Sequence, residues 1–191
     1  MQTYTVTRYE FGELSPEAQG VALTEARESL YITMPEEFIS EDIRQALAEA
    51  LGGEHISTIG LELRYSLGYS QGDGASFTGR LTPETAPSLS WPTGADYADL
   101  RAIDHHYSHA YTVRAELYDS EGEELDDSPE VSIFRQQIKD ISRDLERAGY
   151  KSIEDYSSEE AARYECEERG AIYLNNGKAA APVGISEGVS A

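Results

Sequence analysis

Tyr65-Ser-Leu-Gly-Tyr-Ser-Gln-Gly-Asp-Gly-Ala-Ser-Phe-Thr-Gly79 decides the fold of this 191-residue chain. Read at period two, Leu61, Leu63, Tyr65, Leu67 and Tyr69 face one side. Glu62, Arg64, Ser66, Gly68 and Ser70 face the other, which is the pattern of a half-buried strand. Gly72-Asp73-Gly74 supplies the positive-φ positions that a tight reversal needs, and Ala75, Phe77, Gly79 and Leu81 return on a second strand.

Helical patterns flank this hairpin. Thr3 to Phe11 alternates loosely as a strand, and Ser15-Pro16-Glu17 then opens a helix to about Leu30 with a hydroxyl cap, a first-turn proline and an early acid. Ser40-Glu41-Asp42 opens a second helix, with Ile43, Leu47 and Leu51 on one face and Gly52-Gly53 as its stop. Thr82 to Asp99 carries Pro83, Pro87, Pro92 and the single tryptophan, Trp91, and reads as a long packed loop. Arg101 to Tyr118 reads as one long strand or two shorter ones, with His105, Tyr107, His109, Tyr111, Val113 and Leu117 on one face.

The most regular element follows Ser128-Pro129-Glu130. Val131, Phe134, Ile138, Ile141 and Leu145 keep spacings of three and four, and this apolar stripe is expected to lie across the sheet, with Gly149 ending the helix. A capping box, Ser157 to Glu160, starts a last helix to about Arg169. Ala171 to Leu174 and Asn175-Asn-Gly177 make a short strand and turn. The fold expected is α+β: one antiparallel sheet of four to six strands with the long helix and one or two others on one face. Residues 1–178 form a single domain and 179–191 a frayed tail.

Charge limits function as strongly as pattern limits fold. Thirty-six acidic residues against fifteen basic ones give a formal charge of −21, so nucleic acid and anionic membrane are disfavoured as direct partners and basic proteins or metal ions are favoured. The same composition fits a salt-adapted host or a genome that prefers arginine and alanine codons. The lone Cys166 excludes an internal disulfide and reads as a small apolar filler in its helix. No signal-peptide pattern and no run of ~20 apolar residues is present, so a cytoplasmic protein is expected.

Four segments in order carry a resemblance: Tyr9 to Ala18, the hairpin from Tyr65 to Phe77, His105-His-Tyr-Ser-His109, and Ser158-Glu-Glu-Ala through Asn176-Gly-Lys178. The chain resembles, over residues 3 to 178, uncharacterised proteins of phages, prophages and diverse bacteria, some labelled antitoxin-like. The resemblance implies an intracellular, often phage-borne accessory protein and brings no catalytic residue with it. Asn175-Asn176 stands where acidic residues are expected, and the Pro/Trp loop departs from the pattern.

Three groups of residues are candidates for chemistry. His105 and His109 share a face on a strand and with a carboxylate would suit zinc, but a third protein ligand is not evident, and tyrosine-bonded histidines fit equally. Ser70, Gln71, Gly72, Asp73 and Gly74 could hold an anion or a base on backbone N–H groups, yet lysine and a following helix are missing and the same residues satisfy an ordinary turn. The acidic group Asp119, Glu121, Glu123, Glu124, Asp126 and Asp127, continued by Glu159 and Glu160, could imitate a duplex that presents about one charge per 1.7 Å. A solvated surface is the plain alternative. No catalytic triad is legible from spacing, so the residues point away from an enzyme without excluding one, and no cofactor is expected.

The reading that follows is an inhibitor of a host nucleic-acid-handling machine, of anti-CRISPR or anti-restriction type, meeting a basic protein surface. A ligand- or metal-binding enzyme or sensor built on the histidines or the hairpin, and an antitoxin that neutralises a basic toxin, are the alternatives.

Overall fold

The hairpin forms in the register its sequence sets. In the computed structural model, which describes residues 7–53, 60–103 and 106–180, Glu62–Ser66 (β1) pairs antiparallel with Gly74–Leu81 (β2). Leu63 lies opposite Phe77 and Tyr65 opposite Ala75, so one apolar face is shared by both strands. Tyr97–Ala102 (β3) and Val113–Tyr118 (β4) complete a four-stranded antiparallel sheet in the order β1-β2-β3-β4. The expected start of a strand at Thr3, the histidine His105 and residues 181–191 of the tail lie outside the described residues.

The described residues group into two compact units, Pro35–Ile153 and Met1–Met34 with Glu154–Ala191. The first holds the sheet and its helices. Phe77, Leu81, Leu100, Ala115 and Leu117 point from the sheet into a core completed by Ile43, Leu47 and Leu51 of Glu36–Leu51 (α2) and by Val131, Phe134, Ile138 and Leu145. Those last four belong to Pro129–Tyr156, a 28-residue helix whose final residues, Glu154–Tyr156, count with the other unit. The expected α+β architecture, with the long helix on the sheet, is thus observed.

The start of the second helix and the end of the long one differ from expectation for physical reasons. The second helix starts at Glu36 rather than at Ser40, because Pro35 sets the entry and the Ser40 hydroxyl donates back to the Glu37 carbonyl at 3.0 Å instead of capping. Gly149 does not end the long helix. It sits buried inside it, and a Cβ there would overlap Leu67 and crowd Ile43, so the glycine permits close packing and not a stop. The stop at Gly52 is as expected, with φ +122 and its N–H on the Ala48 carbonyl at 3.1 Å.

The Pro/Trp segment is a shorter loop than expected, since β3 begins at Tyr97. Its Trp91 ring packs 4.8 Å from Phe134 and donates its Nε1–H to the Ala86 carbonyl, while Gln137 and Glu130 of the long helix accept the Ser90 and Thr93 N–H groups.

In the other unit, Ser15 caps Pro16–Thr33 (α1) and Ser158 caps Glu159–Glu168 (α4); the Pro129–Tyr156 helix is α3. The cap of α4 therefore falls at Ser158, one residue past the expected position. Ala18 and Ala22 of α1 meet Cys166 of α4, Phe11, Leu14 and Tyr173 in one buried cluster, which gives Cys166 the filler role read for it. Among the described residues of the two expected strands, Thr3 to Phe11 and Ala171 to Leu174, this unit has single antiparallel bridges, Tyr9 with Tyr173 and Tyr173 with Ala179, and a short 3-10 turn over Phe11–Glu13. No helix among the described residues is long and apolar enough to cross a membrane.

Candidate functional site

Asp73 builds the hairpin turn. One carboxylate oxygen accepts the Ser66 hydroxyl at 2.7 Å and the other accepts the Ser70 N–H at 2.6 Å, which pulls residues 67–73 out of the ladder and ends β1 at Ser66. Tyr69 within this turn adopts φ +57, a strained value for an aromatic residue, and its exposed ring lies 4.6 Å from that of Tyr150. The Ser66 hydroxyl first, and then the Ser70 N–H, hold the Asp73 carboxyl below its usual pKa. A depressed carboxyl stabilises the fold fully above the unfolded carboxylate range, and that contribution fades as pH falls through the folded value. Asp73→Asn is therefore expected to lower the denaturation midpoint at pH 7, with the gap to the parent closing in acid; a gap constant with pH would count against this role.

Of the two readings of Arg101 to Tyr118, two shorter strands form, and the loop between them takes Tyr107 and His109 off the face expected to be shared with Val113 and Leu117; His105 lies outside the described residues. β3 stops at Ala102, and residues 109–112 form a tight turn in which the Thr112 hydroxyl and N–H both donate to the His109 carbonyl. Tyr107 and Tyr111 are exposed as a result. His109 Nδ1 accepts the Tyr111 N–H at 3.1 Å, so the neutral ring carries its proton on Nε2 and has no lone pair free for a metal. Among the described residues no group of three or more His, Cys, Asp or Glu side chains could hold a metal ion.

This loop lies against the hairpin. A Cβ on Gly72, at φ +96, would overlap the Tyr107 ring, and one on Gly74 would come within 2.8 Å of the Ser108 carbonyl and of His109 Cβ. The two glycines thus serve a close approach between segments more than thirty residues apart as well as the turn.

Together they form a cleft of about 520 Å³ lined by Gln71, Gly72 and Asp73 from the hairpin, Tyr107, His109, Ala110 and Tyr111 from the loop, and Arg143 and Glu146 from α3. Arg143 donates to the Tyr111 hydroxyl at 2.8 Å and to Asp140 at 2.6 Å. Burial first, then the charge of Asp73 and later that of Glu146, raise the Tyr150 pKa, so both carboxylates bear on one phenol. The structure therefore joins the hairpin and histidine candidates in one place. Sequence reasoning assigned no role to Arg143 or Glu146; their spacing of three on a helix face is the signal that could have paired them.

The acidic candidates are placed differently. Asp119 turns inward as a scaffold, accepting the Glu121 and Glu123 N–H groups at 2.9 Å each, and the Glu123 carbonyl and Leu125 N–H tie the segment to Asp119 and Leu117. Asp127 pairs with Arg135, whose Nε–H also bonds the Ala115 carbonyl on the edge of β4. Glu121, Glu123, Glu124 and Asp126 remain exposed. Glu124, Asp126 and Asp127, with Arg114, Arg135 and Lys139, border a groove of about 520 Å³ whose floor includes Val113, Ala115, Leu125 and Ile138. Glu159 and Glu160 are exposed in the other unit, at the start of α4, where Glu159 pairs with Arg163.

One face of the sheet carries charges of both signs. On the sheet face opposite α3, Arg80, Arg101 and Arg114 alternate with Asp99 and Glu116 in a continuous row: Arg80 holds Asp99 at 2.8 Å, Arg101 reaches both carboxylates, and Arg114 meets Glu116 at 3.3 Å. Arg80 also covers the Tyr97 ring, which stacks on Tyr118. The hydrogen bonds from Arg80 hold the Asp99 carboxyl below its usual pKa. Comparison of the chain with protein-family models, curated proteins and solved structures returns no match.

Proposed function

We propose that the protein acts by binding, as an acidic accessory protein that occupies the basic groove of a host nucleic-acid-handling complex and blocks it, in the manner of an anti-CRISPR or anti-restriction protein. The observation that carries this reading is the segment Asp119–Asp127. Asp119 and the backbone hold it as a fixed turn, so Glu121, Glu123, Glu124 and Asp126 stand outward together and little ordering cost falls on binding. The adjoining groove has an apolar floor that suits aliphatic side-chain stems, and of the cations that also line it Arg114 and Arg135 are already paired, with Glu116 and Asp127.

Affinity capture from a host lysate at low and high salt tests the proposal. A nucleic-acid-binding protein is expected to co-purify at low salt, to be displaced by duplex DNA, and to dissociate as salt rises. Converting Glu121, Glu123 and Glu124 to Gln and Asp126 to Asn is expected to slow association about tenfold or more with no change in fold, because these side chains are exposed. Captured partners that are neutral or acidic, or binding indifferent to salt, would overturn the reading.

A further inference from the structure

We infer that the cleft between the hairpin and the 107–111 loop seats a guanidinium group, an arginine side chain contributed by a basic partner protein. The inference rests on the binding role above only for the source of that side chain; the chemistry belongs to the cleft.

Each polar group lining the cleft is either committed or available. Arg143 is committed, with one nitrogen on Asp140 and another on the Tyr111 hydroxyl, so its charge is balanced before any ligand arrives. His109 is committed through Nδ1 to the Tyr111 N–H. Glu146 enters no ion pair among the described residues, although it stands on α3 three residues from Arg143. Asp73 accepts from Ser66, from Ser70 and from the Gly68 backbone, so it brings negative charge to the cleft rather than open acceptor sites. The unused capacity is thus anionic and acceptor in kind: the Glu146 carboxylate and the Gln71 amide oxygen, beside the charge of Asp73.

The walls select among cations. Tyr107, 47% exposed, is the wall that offers its ring to an incoming group, since Lys139 and Arg143 already stand 5.7 and 5.5 Å from the Tyr111 ring centre. A planar guanidinium can lie on such a face while its edge donates to carboxylates, whereas an ammonium presents a compact, strongly hydrated charge. Arg143 already shows the mode inside the protein, its guanidinium 5.5 Å from the Tyr111 ring centre and bonded to carboxylate and phenol. A volume of about 520 Å³ accommodates a side chain with its stem. The glycines at 72 and 74 have a use here beyond the turn, because they let Tyr107 stand beside Asp73.

Titration of the purified full chain with N-acetyl-arginine amide, followed by backbone amide NMR, tests the assignment. Saturable shifts centred on Gly72, Asp73 and Ala110 are expected at millimolar ligand, with affinity reduced fivefold or more in both Glu146→Gln and Tyr107→Ala. The neutral isostere N-acetyl-citrulline amide is expected to give no saturable response, and N-acetyl-lysine amide to bind at least fivefold more weakly. Citrulline binding as well as arginine, lysine matching arginine, or Glu146→Gln leaving affinity unchanged would each overturn the proposal. The two readings fail separately. Salt-sensitive capture without arginine binding removes the cleft assignment alone, whereas arginine binding without a salt-sensitive basic partner removes the docking role and leaves the cleft.

Discussion

Phe134→Ala is expected to destabilise the Pro35–Ile153 unit by ~3–5 kcal/mol, the usual cost of removing a buried aromatic ring. Phe134 is wholly buried at the centre of the α3 stripe, and its ring packs 4.8 Å from Trp91. The residues around it resist collapse into the space left behind. Trp91 is fixed by its bond to the Ala86 carbonyl, and the loop that carries it is pinned to α3 through Gln137 and Glu130. The void is therefore expected to persist, which places the cost in the upper part of the range. Against a typical total of about 5–15 kcal/mol, such a loss moves the denaturation midpoint far. Because Trp91 is the only tryptophan and touches the mutated site, its fluorescence reports the transition directly. Ile133→Ala, at the neighbouring residue that is 53% exposed, is the control and is expected to change stability by no more than ~0.5 kcal/mol. Equal midpoints for the two variants would refute the packing argument.

The second large effect is expected at Gly177 in the other unit. Its φ of +82 lies in the left-handed region, which costs an ordinary residue ~1–2 kcal/mol. A Cβ there would also overlap the Ala18 carbonyl, a backbone atom near the start of α1 that cannot swing aside as a side chain would. Gly177→Ala must shift one backbone segment or the other, and strain of this kind adds about 1–3 kcal/mol. The turn from Leu174 to Lys178 is closed by the Gly177 N–H on the Leu174 carbonyl and the Leu174 N–H on the Lys178 carbonyl, both at 2.9 Å. Its neighbour Tyr173 exchanges two hydrogen bonds with Tyr9. Faster amide hydrogen exchange at Tyr9, Tyr173 and Leu174 is the expected readout. Gly170→Ala separates the two costs. Gly170 also has a positive φ, +63, but open space where a Cβ would sit, so it is expected to carry the conformational penalty alone. If both variants exchange at the same rate, the overlap with Ala18 has no consequence.

Much of the fold was legible because its determinants are local. Period-two alternation set the hairpin register, spacings of three and four set the α3 stripe, and Ser15, Ser128 and Gly52 marked helix ends by hydrogen bonds within a few residues. The misreadings share a cause. Gly149 resembles a helix stop until Leu67 and Ile43 are seen to press on it, and Ser40 resembles a cap until Pro35 starts the helix earlier. The alternation up to Leu117 fits one strand as well as two, and the hydrogen bonds among His109, Tyr111 and Thr112, which turn the chain, select two and remove Tyr107 and His109 from the shared face.

The site was legible in its parts and not in its assembly. Gly72, Asp73 and Gly74 stood out in the sequence, and so did His109, but nothing in their spacing places them side by side. Their proximity depends on β2 and β3 being neighbours in the sheet, which brings the connection after β3 alongside the start of β2. Arg143 and Glu146 reach the same place because the apolar stripe of α3 fixes the rotation of that helix on the sheet, and this in turn fixes which polar side chains border the cleft.

The row of arginines and carboxylates on the sheet face opposite α3 has a consequence for how the molecule meets others. Three guanidinium groups against two carboxylates leave that row slightly positive in a chain of net charge −21. A cationic surface that comes up to these strands meets local repulsion along the row and is steered off it, so this face of the sheet is a poor place for a basic partner to settle.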